Sequence, residues 1–144
     1  MVHLQTAVIL LVSISGAWCL CPDEETDLLE WSDESTWKNN KYPDSETDLV
    51  IERKILLNFP EVSVRSITVQ NGGHLVWDPD VKTHLRTRYI LIRDGGRVDI
   101  GSEECPYDGE ATITLIGRRG DYSITNFDEK FIGVDAGGTL EYTA

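Results

Sequence analysis

A double glycine recurs along this chain between two short apolar stretches. The pattern reads apolar, variable, apolar, two turn-forming residues, Gly-Gly, variable, apolar, and it occurs at residues 67–75, 90–98 and 132–140. The first two copies begin 23 residues apart and the third begins 42 residues later, close to two further periods. A weaker copy at residues 113–120 fills the interval, with Arg118-Arg119 at the glycine positions. Repetition at a period of this size is typical of proteins built from stacked units.

Each copy predicts a short strand, a tight turn and a second short strand. Alternate side chains of a strand share a face, so Ile67 and Val69 before the turn and Leu75 and Trp77 after it are expected on one side. The equivalent residues of the later copies are Ile90, Ile92, Val98 and Ile100, then Ile132, Val134, Leu140 and Tyr142. Glycine suits the turn because it adopts φ > 0 without the steric penalty of a Cβ atom. One unit cannot bury its apolar face alone, whereas stacked units form a continuous core.

Two all-β folds accommodate such units. One is a meander of β-hairpins, in which Asn-Gly and Asp-Gly are common turns, and the other is a parallel solenoid. The regular period, with like residues at like positions, favours the solenoid. We therefore predict a right-handed parallel β-helix over residues 49–144, preceded by an acidic arm at residues 20–48. Trp31 and Trp37 indicate that this arm packs on the first coil.

The first 19 residues are predicted to be a secretory signal peptide. Residues 7–14 form an apolar run with one hydroxyl group, and the small residues Ser15-Gly16-Ala17 follow, as is typical of a cleavage region. The run is too short to cross a bilayer, which takes about 20 apolar residues, and a buried N-terminal strand is the alternative interpretation. We expect a secreted or cell-surface protein with no membrane insertion within this sequence.

Export permits disulfide bonds, because secretory compartments are oxidising. Cleavage after Cys19 leaves Cys21 and Cys105, an even number that predicts one bridge from the arm to the middle of the domain. Cleavage after Ala17 leaves Cys19 as well, and therefore an odd number.

The net charge of −12 excludes some classes of partner. Nucleic acids and anionic membranes are themselves polyanions, so a chain this acidic is not a general binder of either. No block of Lys and Arg, no zinc-type cysteine pair and no phosphate-binding glycine loop occurs in the sequence.

Several short motifs resemble those of the eight-glycine (G8) domain family. They are Cys21-Pro22, Trp31-Ser32-Asp33, Ser35-Thr36-Trp37, Pro43, 49–51, 85–92, 101–106 and 130–138. Within that family the chain is most similar to the N-terminal region of hyaluronan-binding and hyaluronan-depolymerising proteins, over residues 21–144. Ser45, Arg53 and Arg118-Arg119 depart from the glycines expected at their positions, which affects local turns.

The resemblance implies a β-helix-like domain of a large extracellular or cell-surface protein. Some members of the family bind and depolymerise hyaluronan, and others are receptors with no assigned enzymatic role. It also implies that the chain is truncated, with an uncapped last coil. We expect a hyaluronan-binding or scaffolding module without a catalytic set of its own. The alternatives are the N-terminal part of a hyaluronidase whose catalytic residues lie beyond residue 144, and a receptor ectodomain with no glycan role.

Four arginines form the candidate ligand site. If the coils stack in the register above, Arg93 and Arg97 flank one glycine corner and Arg118-Arg119 form the next. The planar guanidinium group donates to a carboxylate through two hydrogen bonds at once, which suits an acidic glycan such as hyaluronan. The alternative, which we favour, is that these arginines form exposed ion pairs with neighbouring aspartates: Asp94, Asp99, Asp121 and Asp135.

The other candidate residues are assigned structural roles. Trp77 and Tyr142 are expected to pack in the core. His74 and His84 are expected at the surface, since neither has a partner at metal-ligand spacing. The adjacent pair Glu103-Glu104 is expected in a solvated loop without a catalytic role. We predict no cofactor, because Asp78 and Asp80 are too few to hold calcium without other ligands.

Overall fold

The computed structural model describes residues 20–118, 120–121, 127 and 129–144. The predicted signal peptide lies outside these residues. The described part contains short 3-10 turns, no α-helix and twelve β-strands. The strands are β1 (Leu29–Glu30), β2 (Asp48–Ile51), β3 (Lys54–Leu57), β4 (Glu61–Ser63), β5 (Ser66–Val69), β6 (His74–Trp77), β7 (Thr83–Thr87), β8 (Tyr89–Ile92), β9 (Arg97–Ile100), β10 (Ala111–Leu115), β11 (Phe131–Val134) and β12 (Thr139–Tyr142).

These strands form three parallel sheets. Sheet A has the order β1-β3-β6-β9-β12, sheet B the order β2-β5-β8-β11 and sheet C the order β4-β7-β10. The first three coils each contribute one strand to each sheet, in the chain order B, A, C, and the fourth contributes β11 to sheet B and β12 to sheet A. The predicted all-β parallel β-helix is therefore confirmed, and the hairpin meander is wrong because every strand pair is parallel.

The assignment of the coils differs from the sequence prediction at one place. Strand β11 pairs directly with β8, and β12 pairs directly with β9. The interval of 42 residues is therefore one coil rather than two. Residues 113–115 are not equivalent to the strand before a glycine corner, since they lie on β10, where Ile113 pairs with Leu85 of β7 in sheet C. The coil is long because the connections before and after β10 each contain ten or more residues.

The two glycines of each pair have different structural roles at the corner between sheets B and A. The first glycine, at 72, 95 and 137, has φ of +79°, +80° and +77°, a backbone conformation that strains other residues. The second lies directly over the coil below, where a Cβ atom would overlap a backbone carbonyl oxygen. The overlaps are of Gly73 with Ile51, Gly96 with Val69, and Gly138 with Ile92. The first glycine thus permits the turn, and the second permits the stacking.

The inward-facing side chains stack in columns along the β-helix. Ile67, Val69 and Leu75 have no measurable exposure, and Trp77 is buried as predicted. Tyr142 was expected in the core, and this prediction is wrong, because 67% of its surface is exposed. The reason is its place in the last coil, over which no described residue packs.

The N-terminal arm covers the other end of the core. Trp31 and Trp37 are buried on the first coil, with ring centroids 4.6 Å apart. The Trp37 indole Nε1 donates to the Trp31 carbonyl at 2.9 Å. Strand β1 extends sheet A by pairing Leu29 with Ile55. The arm therefore packs on the first coil, as Trp31 and Trp37 predicted.

A disulfide bond joins Cys21 of the arm to Cys105, with the two Cα atoms 5.6 Å apart. Cys105 lies in the connection between β9 and β10, so the bridge links the arm to the third coil. No helix in the described part of the chain has the length and apolar character needed to cross a membrane.

Candidate functional site

The predicted basic corner is divided between two places in the fold. Arg93 and Arg97 flank the corner at Gly95-Gly96, and the corner stacked above it is Gly137-Gly138. Arg118 follows β10 and lies instead at the corner between sheets C and B. Arg119 lies outside the described residues. Arg118 is therefore not at the corner stacked on Arg93 and Arg97, because β10, which it follows, belongs to sheet C.

Arg93 and Arg97 are both engaged with neighbouring side chains. The Arg93 Nε and Nη2 atoms each lie 3.1 Å from Gln70 Oε1, and Nε lies 3.5 Å from Asp94 Oδ2. The Arg97 Nε atom donates to Asp99 Oδ2 at 2.9 Å, and its Nη2 atom donates to Glu141.

Three arginines lie along the corner between sheets C and B, and we call them the arginine column. Arg65, Arg88 and Arg118 each follow the last strand of successive coils. The Arg88 backbone N–H donates to the Arg65 carbonyl at 2.9 Å, and the Ile116 N–H donates to the Thr87 carbonyl at 2.8 Å. The corners of successive coils are thus stacked at the spacing of about 4.8 Å between hydrogen-bonded strands, with Ile116 above Arg88 and Arg118 two residues further along.

The three arginines line an open groove of about 770 Å³, which we call the arginine groove. Its other lining residues are Ser45, Glu46, Leu115, Ile116, Gly117 and Asp121. The mixture of guanidinium groups, polar groups and an aliphatic floor is suited to a polar ligand that also presents apolar ring faces.

The arginines of the groove form ion pairs that remain open to solvent. Arg65 Nη1 lies 2.9 Å from Asp48 Oδ2, and its Nη2 lies 3.3 Å from Glu46 Oε2. Arg88 Nη2 lies 3.6 Å from Asp121 Oδ2. Pairs with this exposure contribute about 0–1 kcal/mol, so an incoming carboxylate exchanges with them at little cost.

A second cluster of charges lies on the outer face of sheet A, and the sequence analysis missed it. It consists of His74, Arg97, Asp99 and Glu141 and is called the His74 cluster. His74 Nε2 lies 2.8 Å from Asp99 Oδ2, and the two side chains are 9% and 2% exposed. The prediction of a surface His74 is wrong, because the neighbouring strand and the arm shield this part of the outer face.

The carboxylate of Asp99 is stabilised in its charged form. Burial alone raises the pKa of Asp99, but hydrogen bonds from His74 and Arg97 outweigh burial and hold it below the usual value. The same hydrogen bond to Asp99 raises the pKa of Arg97. The cluster lines a pocket of about 460 Å³ together with Glu25, Ser102 and Glu104, yet its side chains bind mainly one another.

The remaining candidates lie apart from both places. His84 is half-buried, with Nε2 2.8 Å from Thr114 Oγ1 and Nδ1 2.9 Å from Arg86 Nη2. Glu103 and Glu104 are exposed in the connection before β10. Within the described ranges, no group of three or more His, Cys, Asp or Glu side chains is arranged to hold a metal ion.

The fold defines a parallel β-helical module with an arginine-lined corner. The family model of the G8 domain matches residues 36–143. The chain is 40% identical to the cell migration-inducing and hyaluronan-binding protein of Mus musculus over 96% of its length. It is 39% identical to a human cell surface hyaluronidase over 84% of its length, and 32% identical to fibrocystin of Canis lupus familiaris over 78%. The chain belongs to the G8 domain family.

The matched region is a small part of these relatives. It covers 10% of the mouse protein, 9% of the human hyaluronidase and 3% of fibrocystin.

Proposed function

We propose that this chain is an extracellular or cell-surface module that binds hyaluronan through the arginine groove. Two relatives carry hyaluronan in their names, one as a binding protein and one as a hyaluronidase. A module that holds the polysaccharide is compatible with either role in a longer protein. The observation that supports the proposal is that three arginines, Arg65, Arg88 and Arg118, line one open groove.

The geometry of the column suits a linear acidic polymer. Arg65 and Ile116 are in register two coils apart, roughly 10 Å, since neighbouring strands are about 4.8 Å apart, and Arg118 lies two residues beyond Ile116. Hyaluronan carries one carboxylate per disaccharide, so its carboxylates lie on every second sugar. Arginines from every second coil would each contact one of these carboxylates. Each guanidinium group can hold a carboxylate through two parallel hydrogen bonds. The polymer would then lie along the β-helix axis, with Arg88 at the intervening sugar.

The proposed binding site replaces the corner expected from sequence and retains Arg118 from it. Arg97 is excluded as a ligand residue because it is committed to the buried carboxylate of Asp99. Arg93 remains accessible, with 43% of its side chain exposed, but it lies at the glycine corner, away from the column. It therefore serves as a control rather than as a member of the site.

The test compares two double substitutions that change the net charge equally. R65E/R88E reverses two charges in the arginine groove, and the control, K82E/R93E, reverses two exposed charges outside it. We expect R65E/R88E to weaken retention on immobilised hyaluronan at least tenfold and the control to weaken it less than threefold. Circular dichroism and urea unfolding of each variant establish that the fold is retained.

Three results would contradict the proposal, one for hyaluronan binding itself and two for the arginine groove as the binding site. Absence of binding by the unmodified chain at low ionic strength would overturn hyaluronan binding itself. Equal losses in the two double variants would indicate dependence on net charge and would overturn the groove as the site. Retention of R65E/R88E at the level of the unmodified chain would do the same.

A further inference from the structure

A second concavity lies beside the arginine groove, at the end of the β-helix that the arm covers. Its volume is about 250 Å³, and we call it the cap pocket. It is formed by the 3-10 turn after Trp37 and by the segment that leads into β2. The lining residues that matter for its chemistry are Lys38, Asn39, Lys41, Tyr42, Asp44 and Thr47.

One tight turn, which begins at Asp44 and ends at Thr47, separates the cap pocket from the arginine groove. Asp44 and Thr47 line the pocket, whereas Ser45 and Glu46 line the groove. The Thr47 N–H donates to the Asp44 carbonyl at 2.8 Å, and the Thr47 hydroxyl donates to Asp44 Oδ1 at 2.9 Å. The Thr47 carbonyl accepts from the Arg65 N–H at 2.9 Å. The pocket therefore adjoins the first arginine of the groove through a well-bonded turn.

Both concavities carry an excess of positive charge, although the whole chain carries −12. Two lysines and one carboxylate, that of Asp44, line the cap pocket. Three arginines and two carboxylates, those of Glu46 and Asp121, line the arginine groove. The pocket beside the His74 cluster has the opposite balance, with one arginine and four carboxylates. Because a concave site of one sign concentrates ligands of the other sign, both adjoining sites favour an anion.

The backbone between the two lysines adopts an unusual conformation. Asn39 and Asn40 have φ of +58° and +51°, in the left-handed region that is unfavourable for residues other than glycine. Both side chains are exposed, and Asn39 lines the cap pocket. Such conformations occur preferentially at ligand-binding sites. The turn thus places a carboxamide group between the ammonium groups of Lys38 and Lys41.

Aromatic side chains also line the cap pocket. The ring centroid of Tyr42 lies 5.3 Å from that of Phe59, and the Tyr42 hydroxyl donates to the Ser32 carbonyl at 2.5 Å. The Trp37 indole donates to the Trp31 carbonyl, so both lining rings are fixed in place. Fixed aromatic surface beside amide and ammonium groups suits a sugar, which has apolar C–H faces and polar edges.

We propose that the cap pocket is a second subsite for the acidic glycan, in which Lys38, Asn39 and Lys41 bind the sugars that extend past Arg65. This inference rests on the proposed function of the arginine groove. Arg65 stacks on Thr47 at the spacing of about 4.8 Å between strands. A glycan that follows the β-helix axis and contacts Arg65 therefore enters the cap pocket with its next sugars.

The test measures how affinity depends on the length of a hyaluronan oligosaccharide. A tetrasaccharide covers the groove, whereas an octasaccharide also reaches the cap pocket. By calorimetric titration, we expect the unmodified chain to bind the octasaccharide at least tenfold more tightly. This factor exceeds the advantage that the longer ligand gains from several equivalent registers on the groove alone. R65E/R88E should weaken binding of both ligands, because both use the groove.

K38E/K41E reverses the two charges of the cap pocket, and K82E/R93E is its control with an equal change of net charge. We expect K38E/K41E to reduce the preference for the octasaccharide to below threefold. Its affinity for the tetrasaccharide should stay within threefold of that of the control. K82E/R93E should retain the preference for the octasaccharide.

N39G tests the pocket without a change of charge. Glycine adopts the same positive φ without strain, so the variant keeps the backbone and loses only the carboxamide. N40G makes the same change at the next residue, which does not line the cap pocket. We expect N39G to lower the affinity for the octasaccharide at least threefold and N40G to leave it unchanged. Urea unfolding should show that neither variant is less stable than the unmodified chain.

The outcomes separate this inference from the proposed function. Equal affinity of the unmodified chain for the two oligosaccharides would overturn the cap pocket as a subsite while the groove still binds. Equal octasaccharide affinities in N39G and N40G would overturn it as well. Failure of the unmodified chain to bind either oligosaccharide at low ionic strength would overturn hyaluronan binding, and the second subsite with it.

Discussion

Asp99 connects charged side chains from neighbouring strands of sheet A. It accepts hydrogen bonds from His74 on β6 and from Arg97 on its own strand, and Arg97 in turn binds Glu141 on β12. A buried carboxylate is costly unless it is paired and hydrogen-bonded. The cluster therefore makes the relative position of three coils depend on one ionised residue.

Replacing Asp99 by Asn should destabilise the fold in a pH-dependent manner. The variant keeps the shape but loses the charge, and we expect it to lower the free energy of unfolding by about 1–3 kcal/mol at pH 7. The folded-state pKa of Asp99 lies below its unfolded value of about 3.9. The stabilisation by the carboxylate is therefore present above that value and is lost as the pH falls through the folded-state pKa.

The measurement is urea unfolding of the unmodified chain and D99N at pH 7 and at about pH 3. The difference between the two proteins should shrink at the lower pH. D80N removes an exposed carboxylate and serves as the control, with little effect at either pH. A D99N effect of equal size at both pH values would show that ionisation of Asp99 is not the source of its stabilisation.

At the residue scale, the sequence pattern predicts which side chains face the core. It does not predict which outward-facing side chains are buried by neighbouring elements. His74 and Arg97 both follow a Gly-Gly pair directly, and this shared position could have placed them side by side in one sheet. The shielding of His74 and Asp99 by the arm and the neighbouring strands depends on contacts distant in sequence, which a periodic pattern does not contain.

The corner at each glycine pair is the element that most shapes the coil. Backbone hydrogen bonds run through it from coil to coil, from Asn71 to Asp94 at 2.9 Å and from Gly95 to Gly137 at 2.9 Å. The pattern in sequence predicted the strand, turn and strand correctly. It could not give the number of coils, because the connections around β10 vary in length without disturbing the register of β11 on β8.

Adjacent glycines of one pair should differ in their response to alanine. At Gly95 a Cβ atom would lie 3.6 Å from its nearest neighbour, the Gly72 backbone nitrogen, so G95A meets mainly the strain of φ = +80°, about 1–2 kcal/mol. At Gly96 the Cβ atom would overlap the carbonyl oxygen of Val69, so two coils must separate. We expect G96A to cost at least about 3 kcal/mol, measured by urea unfolding. Equal losses in G95A and G96A would contradict the separate roles of the two glycines.

At the scale of the whole molecule, the core is a stack of similar layers closed at one end by the arm. The repeat was sufficient to predict the β-helix, whereas the bridge from Cys21 to Cys105 was predicted only for cleavage after Cys19, since cleavage after Ala17 leaves an odd number of cysteines. The arginine groove was not predicted, because its members lie in three coils with different surrounding sequences and become neighbours only through stacking.

Removal of the disulfide should loosen the arm more than the coils. The bridge spans 84 residues, for which the chain-entropy model gives about 4–5 kcal/mol. We expect C21S/C105S to lower stability by up to this amount. Amide exchange should accelerate in residues 20–30 more than in β5 and β8, and the unmodified chain under reducing conditions should behave in the same way. Equal acceleration of amide exchange in both regions would instead show that the bridge stabilises the whole stack of coils and not mainly the arm.

The covered N-terminal end has a consequence for how the protein is made. During synthesis the arm emerges from the ribosome before the coils, and the coils then emerge in the order in which they stack. Each new coil therefore meets a finished surface on which its strands can pair, starting from the layer beneath Trp31 and Trp37. Cys105 emerges only after β9, so the Cys21–Cys105 disulfide forms after the first two coils have been synthesised. The disulfide then links the arm to coils that are already present.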